Sequence, residues 1–314
     1  MIQYVIRRLL ALIPVLLGIS LIVFMLVHLV PGDVVSILLG PTTTPAARDA
    51  LRKLFGLDEP LHIQFLNWLV GVLHGDLGTS LRTGQPVLKS ILDRFSVTLE
   101  LTGLAMLIAL LIGIPAGVIG AVKQYSKIDY AVTLFALAGL SVPNFLFATL
   151  MILAFSLSVR LLPPSGFVPF PSDPVQNLRL MVMPALALGL GAASYITRMT
   201  RSSVLETLRQ DYVRTAYAKG LPPLAVIVGH ALKNALIPIV TVIGIQLGYL
   251  LGGAVIVEAI FAVPGVGRLA LDSINMRDYP VVQGTVLFVT VVFVFINLAV
   301  DILYAYVDPR VHYR

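Results

Sequence analysis

The amino-acid sequence predicts an all-α polytopic membrane protein. It has six transmembrane helices, both termini inside, a small helical outer segment after the first helix, and a two-helix cytoplasmic loop. Three observations predict this. Only 12% of the 314 residues are charged, against about 25% in a soluble domain, while 58% are hydrophobic and the mean hydropathy is +0.93. Six apolar runs approach or exceed the ~20 residues needed to cross a bilayer, at 9–30, 97–122, 130–159, 181–197, 236–257 and 281–306. With the N-terminus inside, the inner loops carry twelve Lys or Arg against four acids, whereas the outer segments carry ten of each. Lys and Arg accumulate on cytoplasmic loops, so the pI of 9.6 and net charge of +6 need no nucleic-acid partner. The absence of Cys excludes disulfides, thiolate metal sites and Cys nucleophiles.

Residues 1–30 form the N-terminal helix, with Arg7 and Arg8 ahead of a 22-residue apolar run that ends at Pro31-Gly32-Asp33. A signal-peptide core is about 7–15 residues long and precedes a small-residue cleavage site. This run is therefore a retained span, and the Arg pair a topology signal. Residues 31–96 read as an extracytoplasmic helical segment. Thr44-Pro45 suits a helix start, Gly56 suits a C-cap, and HIQFLNWLVGVLHG is apolar but too short to span. Residues 97–314 are the core: five further spans, interrupted by a cytoplasmic loop at 198–235. No strong internal repeat is visible, which argues against a secondary transporter built from inverted halves.

The loop is the polar anomaly of the chain. In TRMTRSSVLETLRQDYVRTAYAKG, Leu205, Leu208, Tyr212, Ala216 and Lys219 recur at helical spacing. Gly220 fits the left-handed position that ends such a helix. Pro222-Pro223 forbids continuation and suits the start of a new helix, from about Leu224 to Leu236. The predicted object is two short helices fixed at an angle by a Gly-Leu-Pro-Pro corner. Its charges also suit simple anchoring to membrane lipid, worth about 1 kcal/mol per basic residue near the surface.

These residues carry a resemblance. Arg214-Thr215-Ala216-Tyr217-Ala218-Lys219-Gly220-Leu221, then His230-Ala231-Leu232-Lys233-Asn234-Ala235, is similar to the cytoplasmic loop of ABC-importer permeases. The general pattern there is Glu-Ala-Ala, three residues, then Gly. Arg214 and Thr215 depart from it in the way typical of the dipeptide, oligopeptide and nickel importers, so no glutamate role carries over to Arg214. The opening from Arg7 to Asp33, GDLGTS (75–80), SVPNF (141–145), VEAIFAVPGVGRL (257–269), RDYPVVQG (277–284) and NLAVDILYAYVDPR (297–310) resemble further landmarks. The resemblance covers nearly the whole chain.

The resemblance implies a permease subunit of a bacterial or archaeal cytoplasmic (inner) membrane. It implies four kinds of partner: a second homologous permease, two cytoplasmic ABC ATPase subunits, an extracytoplasmic solute-binding protein, and lipid. Arg214 to Leu221 become the ATPase-coupling loop, and Pro222, Pro223, His230, Lys233 and Asn234 its corner and return helix. No cofactor is implied for this chain; ATP and Mg belong to the partner ATPases. The chain holds no Gly-Lys dipeptide and so no P-loop, and no two His have ligand spacing, so neither a catalytic nor a metal site is expected. The implied substrate is a di- or oligopeptide, with nickel or another small solute as the alternative within the family. A secondary transporter or channel without ATP is the alternative from another class, and would need inverted repeats and midplane charge pairs. A purely structural subunit would leave the corner without a role.

Polar residues within spans are costly and therefore functional candidates. Asn144 and Gln246 are expected along a translocation path. Glu258 and Arg268 are expected at an outer gate, where Glu258 would meet a substrate amino group or a cation. Glu100 falls in the first turn of span two and complements the helix dipole. Asp301, one turn beyond Asn297, suits pairing with a neighbouring base. Gly244, Gly248 and Gly252 recur every four residues and permit close helix packing, against a second permease or within the chain. Gly265-Val266-Gly267-Arg268-Leu269-Ala270 meets a relaxed dinucleotide pattern, but it follows a membrane helix and reads as a turn near the gate.

Overall fold

A computed structural model describes residues 2–29 and 58–307; their regular structure is helical apart from one isolated bridge between Thr79 and Pro86. In chain order the helices are α1 (Ile2–Leu29), α2 (Leu61–Leu73), α3 (Val87–Val122), α4 (Lys127–Ser141) and α5 (Asn144–Ser158, π-helical from Ile152). Then come α6 (Pro174–Leu208), α7 (Asp211–Ala218), α8 (Pro223–Ile260, π-helical over Ile227–Leu232), α9 (Val266–Met276) and α10 (Tyr279–Val307). Five of these, α1, α3, α6, α8 and α10, are long and apolar enough to cross a membrane.

The span expected at 130–159 is two helices, α4 and α5, bent by 102°. Pro143 has no N–H to continue the ladder, and it pushes Val142 into extended backbone (φ −85°, ψ 120°). The break is invisible to hydropathy because both sides of it are apolar. The span expected at 181–197 is also longer, running from 174 to 208. Asp173 caps it, accepting from the Gln176 N–H at 3.0 Å, and Pro174 occupies the first turn. At its far end the span runs on without a break, through Arg198, Arg201 and Glu206, into the first helix expected within the cytoplasmic loop. Hydropathy marks the part of a helix that suits lipid, while Ser, Arg and Glu are compatible with helix itself.

α3 and α6 form the spine of the bundle, with Leu101, Met181, Met183, Leu188 and Ile196 fully buried around it. Gly117 permits their approach: a Cβ there would stand 2.5 Å from Thr200 Cβ and 2.7 Å from the Thr197 carbonyl oxygen. Gly244 and Gly248 serve the same purpose within the chain. Added Cβ atoms would strike Val300 and Phe293 of α10, whereas Gly252 faces open space. The small-residue stripe of α8 therefore packs its own last helix through two of its three glycines.

Contacts sort the helix ends into two groups. Arg8 pairs with Asp301 at 2.9 Å, and Arg201 pairs with Asp129, so the starts of α1 and α4 lie at one end with the termini of α6 and α10. At the opposite end Ser80 and Leu81 donate to Asp278, and Thr98 donates to Glu258. Here α2 lies against α1, with the Phe24 ring edge-to-face with Phe65 and tilted against Trp68 at centroid distances of 5.4 and 5.9 Å. The helix start expected at Thr44-Pro45 and the cap expected at Gly56 lie outside the described residues.

Candidate functional site

The corner is built where α6 stops. Arg209 ends the helix and Gln210 is extended (φ −75°, ψ 147°), so the single helix expected up to Lys219 is broken and α7 starts anew at Asp211. The break changes which face is inside. Val213 and Ala216 are buried against Val226 and Leu208, while Tyr212 is exposed. Ala216 thus packs the corner itself. Arg214, Thr215, Tyr217, Ala218, Lys219, Gly220 and Leu221 are all exposed, forming a continuous outward surface of one ridge. Asp211 in the first turn suits the positive end of the α7 dipole and lies 3.8 Å from Arg214.

Gly220 turns the chain. Its φ is +80°, and its N–H bonds the Tyr217 carbonyl at 2.9 Å. A Cβ there would meet nothing within 4 Å, so the requirement is conformational rather than spatial. Pro222 (φ −65°, ψ 146°) flanks the new helix, and Pro223 opens α8. The first turns of α8 include a π-helical segment at Ile227–Leu232, a rare form that is frequent at functional sites. Asn234 Nδ2 donates to the His230 carbonyl at 2.9 Å, satisfying an acceptor beside this irregular turn. His230, Lys233 and Asn234 are exposed.

The polar residues assigned to a path or gate are distributed differently. Asn144 begins α5 just after the bend. Its amide lies 3.2 and 3.7 Å from where Cβ atoms of Gly191 and Gly253 would stand, so two glycines make room for it between α6 and α8. Gln246 is half-buried on α8, two turns before Gly253. Glu258 is wholly buried inside this chain: it accepts from Thr98 Oγ1 at 2.7 Å and from the Arg268 backbone N–H at 2.9 Å. Thr98 Oγ1 in turn accepts from the Val266 N–H at 2.9 Å. The Arg268 side chain faces Asp272, 3.8 Å away. Glu258 and Thr98 thus clamp the Gly265–Arg268 turn to α3 and α8, an architectural role for this carboxylate. Glu258→Ala is expected to strip acceptors from two donors, at about 1–3 kcal/mol each. It should lower the thermal unfolding midpoint in detergent clearly more than Glu258→Gln, which keeps one acceptor; equal midpoints would contradict the clamp.

Two clusters escaped the sequence. Ser80 Oγ and the Leu81 N–H donate to the buried Asp278 at 2.5 and 3.1 Å, and the Arg82 guanidinium caps the Met276 carbonyl at 2.9–3.0 Å. The pair Asp129–Arg201 joins the start of α4 to α6, two turns before α6 reaches the corner. In sequence, neither Asp129 nor Arg201 stands out from the other charges of the inner loops. The one local clue was Ser126, whose placement three residues ahead of Asp129 suits an N-cap.

Comparison with known proteins follows the same lines. Residues 113–313 match the binding-protein-dependent transport system inner membrane component, and residues 1–102 match its N-terminal part. The dipeptide transport system permease protein DppB of Alkalihalophilus pseudofirmus is 43% identical, and the alignment spans 100% of both chains. The glutathione transport system permease protein GsiC of Salmonella typhimurium is 42% identical over 100% of both. Among solved structures, the inward-facing MetNI methionine ABC transporter is similar in fold, at TM-score 0.58 and 22% identity over 69% of this chain and 96% of that one. The chain belongs to the binding-protein-dependent transport system inner membrane components.

Proposed function

We propose that this chain is the permease subunit of an ATP-driven importer of di- or oligopeptides, gripped at Arg214–Leu221 by a cytoplasmic ATPase. The observation that carries the reading is the exposed ridge of α7 and Gly220, held at a fixed angle by its own buried underside of Val213, Ala216 and Val226. A rigid projection of this kind transmits displacement to the spans on either side of it. Arg214 and Lys219 on the ridge supply electrostatic register. Peptides are favoured because full-length relatives at 42–43% identity are named for dipeptide and glutathione transport.

In this reading the ridge faces the cytoplasm with both termini. A binding protein delivers substrate at the opposite end, around Ser80, Asp278 and Glu258. ATP and Mg are bound by two ATPase subunits, and a second homologous permease completes the pathway. The exposed stripe of α8, with Ile245, Tyr249, Gly252 and Ile256, supports such a pairing. The test is uptake into proteoliposomes holding this chain, a second permease and the ATPases. A labelled dipeptide should accumulate only with ATP and binding protein together. Uptake without ATP, or of nickel but no peptide, would contradict the reading.

A further inference from the structure

We infer that Asp129 and Arg201 are positioning residues for energy coupling, joining the corner-bearing end of α6 to the α3–α4 turn; this rests on the reading of Arg214–Leu221 as the ATPase grip. Arg201 Nε and Nη2 donate to the two oxygens of Asp129 at 2.5 and 2.8 Å, and the Asp129 side chain is only 4% exposed. The carboxylate also accepts from the Tyr125 N–H at 3.0 Å, holding a non-glycine residue at φ +63°. The Asp129 N–H bonds Ser126 Oγ at 3.3 Å and so caps α4. The Asp129 side chain thus ties a strained turn to α6, from a residue in the Ser126-capped first turn of α4. The Arg201 stem lies along α3, with Cδ 3.4 Å from where a Cβ of Gly120 would stand.

The position along α6 gives the pair its consequence. On the bundle side of Arg201, Thr197 and Thr200 are locked onto Gly117 of α3. Beyond it α6 continues for two turns, about 10 Å, to Leu208, which packs with the corner residues Val213, Ala216 and Val226. One side of this overhang, at Val204, packs in one buried cluster with Ala121 of α3 and with Ala235 and Ile239 of α8. The other opens on a cleft of about 430 Å³ lined by Arg201, Ser202, Leu205, Glu206, Arg209 and Gln210. The overhang is therefore bound to the corner, the start of α8 and α3, while its cleft face is lined only by residues 201–210. The two-pronged guanidinium–carboxylate contact holds angle as well as distance, which a single-point ammonium cannot. With the pair intact, a displacement of the corner is delivered to α3 and α4 together with α6. Without it, the overhang keeps its apolar seat on α3 and α8 but loses its fixed angle to the α3–α4 turn, and the displacement reaches α4 weakened.

The measurement is peptide transported per ATP hydrolysed in the reconstituted complex, a ratio that does not depend on how much complex assembles. Asp129→Asn and Arg201→Gln are each expected to lower it by about fivefold or more, a typical span for allosteric coupling. Basal ATPase activity should be retained, and the double variant should be no worse than either single, because the two act as a unit. Arg201→Lys, which keeps the charge but loses the fork, serves where a neutral variant fails to assemble, and should fall between the wild type and the neutral variants. A wild-type ratio in the assembled variants, or additive losses in the double, would overturn the inference. A wild-type complex whose ATPase ignores the binding protein would instead overturn the underlying coupling reading.

Discussion

Gly220→Val is expected to leave the helical bundle inserted and assembled while transport falls by about tenfold or more, within the range of allosteric coupling energies. The residue sits at φ +80° with open space where a side chain would go, so valine meets no neighbour. It meets its own backbone. A β-branched residue held in the left-handed region costs of order 1–3 kcal/mol, and an exposed corner relieves that strain by changing the angle between α7 and α8. The core under α3 and α6 is untouched, so yield and melting should change little. Gly220→Asn separates conformation from identity, because Asn tolerates the left-handed region far better. It should retain most transport. ATPase activity in the valine variant should no longer respond to the binding protein. Full transport by the valine variant would remove the corner from the mechanism.

Gly117→Val is expected to do the opposite: abolish assembly rather than coupling. The new Cβ would stand 2.5 Å from Thr200 Cβ and 2.7 Å from the carbonyl oxygen of Thr197. A backbone carbonyl within a helix cannot rotate away, so α3 and α6 must separate. Overpacking a close-packed interior costs about 1–3 kcal/mol and more when backbone has to move. Here it opens the spine around which the bundle is packed. The protein should be lost from detergent extracts, or unfold at a much lower temperature. Gly103 lies on the same helix with nothing within 4 Å of its Cβ position, so Gly103→Val is the control and should behave as wild type. Equal stability of the two variants would contradict the packing described.

Much of the corner was legible in sequence because it depends on local backbone chemistry. Gly220 and Pro222-Pro223 act through their own φ angles and missing donors, and these need no tertiary partner. Helix faces were less legible. The Leu205–Tyr212–Ala216 periodicity presumes one continuous helix, and the break at Arg209–Gln210 resets the second half so that Val213 takes the place of Tyr212 beside Ala216 on the inner face. The bend at Pro143 was hidden because hydropathy averages over it. Glu258 illustrates the limit for polar residues. An acid in an apolar run signals that something must partner it, yet Thr98 and the Arg268 N–H lie 160 and 10 residues away, and only the fold brings them together. The Asp129–Arg201 pair was out of reach for the same reason, at a separation of 72 residues.

The grip at Arg214–Leu221 is most directly tested by cross-linking from position 217, since Tyr217 is 43% exposed on the ridge. A photo-activatable phenylalanine analogue there preserves the aromatic character and should leave transport intact. In the assembled, transport-competent complex, irradiation is predicted to join this chain to an ATPase subunit, with a yield that changes between nucleotide-free and ATP-bound states. Cross-links to lipid or to the other permease alone, in a complex that still transports, would contradict the account.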